Sequence, residues 1–478
     1  MILWIILALL VILIAVVLIR TANFKPGCKS EVKPEPVEFD RQKAVDNLQQ
    51  LVRCRTVSNR DPGLEDDAEF EKLIGLLPEL YPAFWNKCPL TRFPDRGLLF
   101  KWEGQSHERC SVMMAHYDVV PADEDLWTKP PFEAIIEDGI LWGRGTLDTK
   151  NSFNGALTAA DHLIAKGFVP EYDIYFAFSG GEEVNGRGAE NIVDWFEAQG
   201  ISPELVLDEG GAVVKGVFPG VDKPCAVIGV AEKGMMNVDL KVNSDGGHAS
   251  SPLPGSPLVR LSKACLKLES NPFPFRMTKP VAAMFDTLGR ESTFLYRMIF
   301  ANMWLFSGLL GLYFKKTGGI LNALVRTTVA FTQAEGSSAN NVIPPEAHMG
   351  MNLRVIPGET IEDACEYIRK TINDENISIS VTPDSMNPSR VSVTDCEGWN
   401  KLAESVAEAW DGCLVSPYLM IQCSDSHSYG RISDKVYRFS AADMTDPERE
   451  TIHGNDEHIR LETIEHAVEF YIRLLSKC

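Results

Sequence analysis

The sequence predicts an α/β protein: a mainly parallel sheet with helices on both faces, and a smaller α+β domain inserted into it. Two features of the 478 residues lead to this fold class. Three short apolar runs end in acidic residues or histidine, and a helical pattern lies between the first two, which is typical of parallel strands joined by helices. Farther along, apolar and polar residues alternate with period two, which is typical of antiparallel strands with one solvated face.

Composition and charge limit the classes of protein to which the chain can belong. Hydrophobic residues make up 45% of the sequence, enough for one large or two moderate cores, so intrinsic disorder of the whole chain is excluded. Asp and Glu number 66 against 46 Lys and Arg, which gives a formal net charge of −20. Because this charge opposes a phosphate backbone, no nucleic-acid partner is expected.

The N-terminus is apolar without interruption over residues 2–19. As a helix this run is about 27 Å long, so residues 1–20 are predicted to form a single-pass membrane anchor, followed by a linker over 21–42. A cleaved signal peptide is the alternative, but no basic segment precedes the run and no A-x-A-like cleavage site follows it.

The side of the membrane is left open by the charges near the anchor. Arg20, Lys25 and Lys29 follow the apolar run, and the positive-inside rule would then keep the large domain in the cytoplasm. A long translocated domain can disregard so few charges, so the sequence does not decide the orientation.

The three apolar runs are interpreted as parallel strands that carry a site at their ends. SVMMA precedes His116, DIYFAF precedes the SGGEE motif, and ELVL precedes Asp208. Residues 152–166 carry apolar side chains at helical spacing and connect the first two strands. Ligands of such sheets bind beyond the carboxyl ends of the strands, where all three polar clusters are expected.

The alternating pattern marks the inserted domain. Residues 236–242 and 347–355 alternate between apolar and polar side chains, as antiparallel strands do. A final amphipathic helix is expected over 461–476, packed on the α/β domain. The predicted division is a catalytic domain over 43–227 and 389–478 with a lid or dimerisation domain over 228–388.

Within the insert, residues 294–314 are nearly apolar. Arg297 and Asn302 interrupt this segment, and in lipid their polar groups would need partners, so a buried or partly exposed helix is expected rather than a second span. If exposed, the helix would hold an acyl chain or touch the bilayer.

Histidine and carboxylate residues stand at the predicted strand ends. His116 and Asp118 share a face because a strand has period two, so His116 could bind zinc while Asp118 orients its ring. Taken alone, this pair is also explained as an ion pair at a strand end. Asp148 in GRGTLDTK could bridge two cations, although alone it is more typical of a helix N-cap.

The remaining candidates are individually weak. Adjacent glutamates such as Glu182 and Glu183 are commonly solvated, Asp208 alone would suit a turn, and a lone histidine such as His453 is usually structural. Together, however, two imidazoles and three carboxylates make a mixed nitrogen and oxygen set that suits two zinc ions, with one glutamate left over.

From about Lys43 to the C-terminus the chain resembles the zinc-dependent aminoacylase and carboxypeptidase family, which includes succinyl-diaminopimelate desuccinylase. It is most similar to the branch of carboxypeptidase S and the N-fatty-acyl-amino-acid synthase/hydrolases. The resemblance rests on long motifs in the family's order: MMAHYDVVPA, WTKPPFEAIIEDGILWGRGTLDTKN, SGGEE, LDEGG, VAEKGMMNVDLKV, GGHASSP, NNVIPPEAHMGMNLRVIPGE and IHGNDEHI.

The resemblance implies a role for each candidate. His116 and Asp208 would hold one zinc ion, Glu183 and His453 the other, and Asp148 would bridge them. Glu182 would be the catalytic base and Asp118 would support His116. His248 of the lid, often supplied by a dimer partner, would stabilise the oxyanion, while Asn341 and Arg354 would hold the substrate, the arginine by its carboxylate.

Two segments depart from the family pattern. Thr149 follows the bridging aspartate where relatives more often have an acid or an amide, so the local backbone geometry is expected to differ from theirs. QCSDSHSYG keeps Ser424 and Asp425 but has His427 where relatives usually have arginine, so substrate preference is expected to differ.

The sequence therefore predicts a membrane-anchored dinuclear zinc hydrolase that cleaves the amide bond of a peptide or N-acyl amino acid with a free carboxylate. Co²⁺ or Mn²⁺ would be alternative metals, and the resemblance implies a homodimer through the lid, although some relatives are monomers. Two other hypotheses about its function remain: a hydrolase/synthase of N-fatty-acyl amino acids, and a non-catalytic membrane-tethered binding protein of the same fold.

Overall fold

The computed structural model describes residues 1–27, 35–216 and 218–478. Lys29 and part of the predicted linker lie outside the described residues. The helices are α1 (Ile2–Asn23), α2 (Arg41–Val52), α3 (Asp67–Leu80), α4 (Pro82–Lys87), α5 (Lys150–Ala165), α6 (Gly188–Gln199), α7 (Pro257–Ser270), α8 (Lys279–Glu291), α9 (Phe294–Ala301), α10 (Met303–Thr317), α11 (Gly319–Leu324), α12 (Ile361–Ile372), α13 (Glu397–Ala409), α14 (Asp446–Glu450) and α15 (Leu461–Leu475).

The strands form a large sheet, a four-stranded sheet and two small ones. They are β1 (Leu90–Phe93), β2 (Gly97–Trp102), β3 (Ser106–His116), β4 (Ile135–Glu137), β5 (Ile140–Trp142), β6 (Tyr172–Ser179), β7 (Leu205–Val214), β8 (Cys225–Glu232), β9 (Gly234–Asn243), β10 (Gly247–His248), β11 (Thr328–Glu335), β12 (Val342–Ile343), β13 (Glu346–Val355), β14 (Ser378–Val381), β15 (Leu414–Met420), β16 (Val436–Met444) and β17 (His458–Arg460).

The large sheet has eight strands in the order β1-β2-β6-β3-β7-β16-β8-β15. The central strands β6, β3, β7 and β16 run parallel, as β8 and β15 do, whereas β1 and β2 are antiparallel to their neighbours. Its inner strands β3, β6 and β7 are the three apolar runs of the sequence, because a strand covered on both faces needs apolar side chains at successive positions. The predicted α/β class with a mainly parallel sheet is confirmed.

Helices cover both faces of this sheet. On one face, α5 and α15 pack together, and Gly155 allows the close approach because a Cβ there would lie 2.9 Å from the Tyr471 ring. Leu205 and Leu207 of β7 point into this larger core. On the other face, Val206 lies in a second core with α6 and the 3-10 turn Asp425–Arg431.

The four-stranded antiparallel sheet has the order β11-β13-β9-β14 and is covered by α7 and α12. Met236 and Val238 of β9 and Met351 and Leu353 of β13 point into its core, in agreement with the alternating pattern of these strands. Because β8 belongs to the large sheet, the smaller sheet begins at Gly234. The domain division at 228 and 388 stays a prediction.

The apolar N-terminal segment forms α1, which by length and composition could cross a membrane or be a signal sequence. Residues 294–314 do not form one helix: α9 and α10 are bent by 107° at Asn302. Asn302 itself is buried, whereas many apolar side chains of both helices are exposed.

Candidate metal centre

His116 lies buried at the end of β3 with its two ring nitrogens in different surroundings. Nδ1 lies 3.0 Å from the backbone oxygen of Asp118 and 3.4 Å from its carboxylate. Nε2 lies 3.0 Å from Asp148 Oδ1 and 3.4 Å from Glu209 Oε1. A hydrogen bond from Nδ1–H to Asp118 directs the Nε2 lone pair toward these carboxylates, as in metal-binding histidines.

His453 approaches the same aspartate from the C-terminal part of the chain. Its Nε2 lies 3.0 Å from Asp148 Oδ2 and 3.0 Å from Glu183 Oε2. Asp148 therefore contacts one imidazole with each of its carboxylate oxygens. The arrangement brings together residues that are 337 positions apart in sequence (453 − 116).

Asp118 organises the glutamate pair as well as His116. Its carboxylate accepts hydrogen bonds from the backbone N–H groups of Glu182 and Glu183, each at 3.2 Å, and from Ser58 Oγ at 2.6 Å. The turn before the glutamates needs Gly180, since a Cβ there would lie 2.7 Å from the Tyr117 ring. The strand ends thus hold the histidine and both glutamates at one place.

The carboxylates close to His116 include one that sequence reasoning missed. Ligand atoms of His116, Glu182 and Glu209 lie within 4.8 Å of one another, as do those of His116, Asp148 and Glu183. Glu209, which was not a predicted site residue, stands beside Asp208, which was. Asp208 is also buried, but its Oδ2 accepts a hydrogen bond from the backbone N–H of Ser426 at 2.8 Å.

Alternation along the strands does not explain this difference between neighbours. Asp208 shares parity with Val206, which lies in the core on the α6 side, and His116 shares parity with Met114 of that same core. Regular strands would therefore turn Asp208, and not Glu209, to the face of His116. The pairing of β7 with β16 shifts register between Asp208 and Gly211, so β7 is irregular at Glu209, and the alternation in ELVLDE does not show this.

Glu457 is a second acid that sequence reasoning missed, and it is fully buried. Its carboxylate accepts hydrogen bonds from the backbone N–H groups of Gly145, Leu147 and Asp148 at 2.9, 2.8 and 3.2 Å. It also pairs with Arg144 at 2.8 Å, and that guanidinium donates to the backbone oxygen of Gly454 at 2.7 Å. These bonds tie the loop of Asp148 to the loop that carries His453.

The negative charge around the two imidazoles dominates their titration. Burial opposes a charged His116, but the surrounding carboxylates, first Glu209, outweigh burial and raise its pKa well above the usual range. Hydrogen bonds to Asp148 and Glu183 raise the pKa of His453 to about 10.

Two glutamates of the cluster hold their protons more tightly than usual. Burial and then the charge of Glu209 raise the pKa of Glu182 well above its ordinary value. Burial and the charge of Asp148 raise the pKa of Glu209 to about 8, although His116 opposes the shift. Several carboxylates confined in one buried place repel one another, and a cation would relieve that repulsion.

The chemistry of the donors fits metal ions. Glu183 Oε1 is buried and has no hydrogen-bond partner, so it has a lone pair to offer a cation. Imidazole nitrogens mixed with carboxylate oxygens are the ligands of catalytic zinc sites. The residues that could bind metal ions are His116, Asp148, Glu183, Glu209 and His453.

The predicted lid residues lie on the smaller sheet and its loops. His248 on β10 pairs with Val342 of β12, and the backbone oxygen of Asn341 accepts a hydrogen bond from Ala249 N at 3.0 Å, so His248 and Asn341 are neighbours. Arg354 on β13 donates to Cys423 Sγ at 3.2 Å. No hydrogen bond or ion pair among the described residues joins these three to the acidic cluster.

The two segments that depart from the family pattern lie next to the cluster. The Asp148–Thr149 peptide bond is cis, and the Thr149 side chain is buried. Asp425 accepts a hydrogen bond from Ser179 Oγ at the end of β6. His427 Nδ1 lies 2.7 Å from the buried carboxylate of Glu232.

Comparison with known proteins identifies the family of the chain. The family model described as peptidase family M20/M25/M40 matches residues 112–477. The chain is 33% identical to a probable carboxypeptidase S-like 2 of Dictyostelium discoideum, covering 93% of this chain and 88% of that protein. It is 34% identical to an N-fatty-acyl-amino acid synthase/hydrolase PM20D1 of Xenopus tropicalis, covering 98% and 93%.

Solved structures share the fold at low sequence identity. An M20 family metallo-carboxypeptidase from Sulfolobus solfataricus has a TM-score of 0.66 at 18% identity, covering 91% of this chain and 98% of that one. A dinuclear metal-binding M20 peptidase of Bacillus subtilis has a TM-score of 0.55 at 13% identity with the same coverage. The family resemblance predicted from the motifs is confirmed: the chain belongs to peptidase family M20/M25/M40, a family of metallopeptidases and amidohydrolases.

Proposed function

We propose that this M20 metallohydrolase holds two zinc ions and cleaves the amide bond of a peptide or N-acyl amino acid that carries a free carboxylate. The single observation that carries the proposal is Asp148, whose two oxygens each lie 3.0 Å from a different imidazole. A carboxylate in that position suits a bridge between two cations, with His116 on one side and His453 on the other.

For the ligand set we propose Glu209 in place of Asp208. Glu209 lies 3.4 Å from the His116 nitrogen that faces Asp148, whereas Asp208 is hydrogen-bonded to a backbone amide. The first zinc would then be held by His116 and Glu209 and the second by Glu183 and His453, with Asp148 shared. Co²⁺ and Mn²⁺ accept the same donors and are expected to substitute.

The reaction needs a base, which we propose is Glu182. When bound, the two zinc ions would acidify a water molecule and polarise the substrate carbonyl. As a carboxylate, Glu182 would take the proton of the water and deliver it to the leaving nitrogen; burial and nearby charge raise its pKa, which makes the carboxylate a stronger base. Asp118 would position this glutamate through its backbone N–H and His116 through Nδ1.

Substrate recognition is proposed for the lid. The Arg354 guanidinium can pair with the substrate carboxylate through two parallel hydrogen bonds, with Asn341 beside it on the lid. His248 would donate to the developing oxyanion, supplied within the chain or by a second copy if the lid forms a homodimer.

We propose that α1 is retained as a membrane anchor rather than removed. Asn302 donates hydrogen bonds to the backbone oxygen of Val17 and to Thr21 Oγ1, both at 3.3 Å, and Arg20 donates to the backbone oxygen of Ala301 at 3.2 Å. Cleavage of α1 as a signal peptide would remove these three hydrogen bonds and leave the buried Asn302 amide only its bond to the backbone oxygen of Met298 at 2.9 Å.

An N-fatty-acyl amino acid is the second candidate substrate. The Xenopus tropicalis relative named N-fatty-acyl-amino acid synthase/hydrolase matches 98% of the chain, and α9 and α10 expose apolar side chains beside the anchor. A non-catalytic binding protein is disfavoured because such a protein has no need of Glu182.

The test is hydrolysis by full-length protein that is stripped of metal and then supplied with Zn²⁺, Co²⁺ or Mn²⁺. Dipeptides and N-acyl amino acids of short and long acyl chains are compared, and the preferred class identifies the substrate. Glu182→Gln should lower kcat about 10²- to 10⁴-fold with full metal content, while the exposed Glu108→Gln on β3 changes neither. Metal-independent or absent hydrolysis of the whole panel would refute the proposal.

A further inference from the structure

We infer that the exposed apolar face of α9, α10 and α11 inserts into the same bilayer as α1, so that the protein contacts lipid through two surfaces. This inference rests on the proposed anchor. We call this face the interfacial patch. Its residues are Phe294, Leu295, Trp304, Leu309, Leu312, Tyr313 and Ile320.

The patch exposes several large apolar side chains on one short helix. Leu309 and Leu312 are 65% and 66% exposed and Trp304 is 56% exposed, all on one 15-residue helix. A contiguous apolar area of this kind marks a contact with protein or membrane. Because the patch lies beside the proposed anchor α1, we infer that its partner is the membrane.

The bend between α9 and α10 is joined to the anchor near the end that emerges from the membrane. Asn302, at the bend, donates to Val17 and Thr21, and Arg20 donates back to Ala301. The stretch from Ile2 to Thr21 is about 30 Å long as a helix, which is the thickness of the hydrocarbon core. The bend therefore lies at the depth of the membrane surface.

The shape of the helix pair suits the interface rather than a second span. α10 has 15 residues and is about 22 Å long, too short to cross the bilayer, and the bend of 107° turns α9 away from it. Trp304 and Tyr313 are the aromatic types enriched at membrane surfaces. Lys315 and Lys316 lie in the last turn of α10, and such basic side chains are attracted to anionic lipid surfaces.

The patch is firmly joined to the rest of the molecule. Phe300 and Phe314 belong to a core that includes Leu414 and Leu419 of the edge strand β15. The buried Arg326 donates to the backbone oxygen of Gly311 in α10 at 3.0 Å. Lipid contact through the patch would therefore hold the β15 edge of the large sheet at the membrane surface.

The test is quenching of Trp304 fluorescence by brominated lipid. Full-length protein is reconstituted into phosphatidylcholine vesicles with or without dibromo-phosphatidylcholine, in a Trp4→Phe background that silences the anchor. We expect brominated lipid to quench part of the emission, and Trp304→Phe in the same background to abolish that part. The remaining tryptophans, which the double variant reports, serve as the internal control.

A second pair of variants separates lipid contact from misfolding. Leu309→Glu should reduce the quenching of Trp304 by at least half, whereas Leu126→Glu, at a site exposed to 63%, should not alter it. Both variants should keep the thermal unfolding midpoint of the parent, because neither side chain is buried.

The outcomes distinguish this inference from the anchor. Flotation of the vesicles in a density gradient shows whether the protein is bound to them. If the protein floats with the vesicles but Trp304 is not quenched, lipid contact through the patch is overturned and the proposed anchor stands. If the protein does not float, both are overturned. Trp304 emission that shifts with protein concentration and not with lipid assigns the patch to a second copy of the chain and overturns the inference.

Discussion

Neighbouring acids on β7 allow a sharp test of the metal site. Glu209→Gln and Asp208→Asn are matched changes, because each replaces a carboxylate by an amide of the same shape. Glu209 lies 3.4 Å from His116 Nε2 among the proposed ligands, whereas Asp208 accepts a hydrogen bond from Ser426 N at 2.8 Å. We therefore expect the two variants to differ in metal content.

The expected magnitudes follow from these positions. Two unit charges 3.4 Å apart interact by about 5 kcal/mol at an effective dielectric constant of about 20, and a divalent cation beside Glu209 would gain more, less its desolvation cost. We expect Glu209→Gln to weaken one zinc site by about 10³-fold or more. Asp208→Asn disturbs only the surroundings and should cost about 10- to 100-fold.

The assay is zinc content by mass spectrometry, after dialysis against a graded series of chelator concentrations. Glu209→Gln should keep about one zinc per chain where the parent keeps about two, and Asp208→Asn should keep both at low chelator. Loss of one zinc in Asp208→Asn with full content in Glu209→Gln would refute the assignment of Glu209, which rests on its distance to His116, and restore Asp208 as the ligand.

Three further predictions concern the loops, the charge and the packing of the site. Glu457→Gln should lower zinc affinity about 10- to 100-fold without removing a ligand, because it releases the loops of Asp148 and His453; equilibrium dialysis measures the loss. The pKa of His453 is raised to about 10 by its carboxylate partners. Its contribution to the stability of the metal-free protein is therefore complete below about pH 6.5 and is lost as pH rises to about 10. Denaturant titrations should show the free energy of unfolding falling across that range, and an unchanged free energy would contradict the prediction. Gly211→Ala should destabilise the fold by about 3 kcal/mol or more, because its Cβ would lie 1.7 Å from the backbone oxygen of Val227; a shift in urea midpoint reports it, and a neutral effect would contradict the packing.

Much of the site could be located from the sequence because its residues follow recognisable strands. The run before His116 and the run before Glu182 are apolar on both faces, so their ends were expected at one edge of the sheet. Asp118 was expected to support His116, and it lies within hydrogen-bonding distance of it. The insert was less predictable: residues 294–314 have the composition of one helix, but the chain bends at Asn302, whose side chain donates hydrogen bonds to α1.

The sequence by itself determined the family, the α/β class and most of the residues that meet at the candidate centre, because motifs and periodicity are local properties of the chain. Only the tertiary structure decided that Glu209 lies 3.4 Å from His116, that Glu457 joins two distant loops, and that α1 packs on α9. Each of these depends on which face of an element meets which neighbour. That choice is made by packing between segments far apart in the chain, and no local pattern records it.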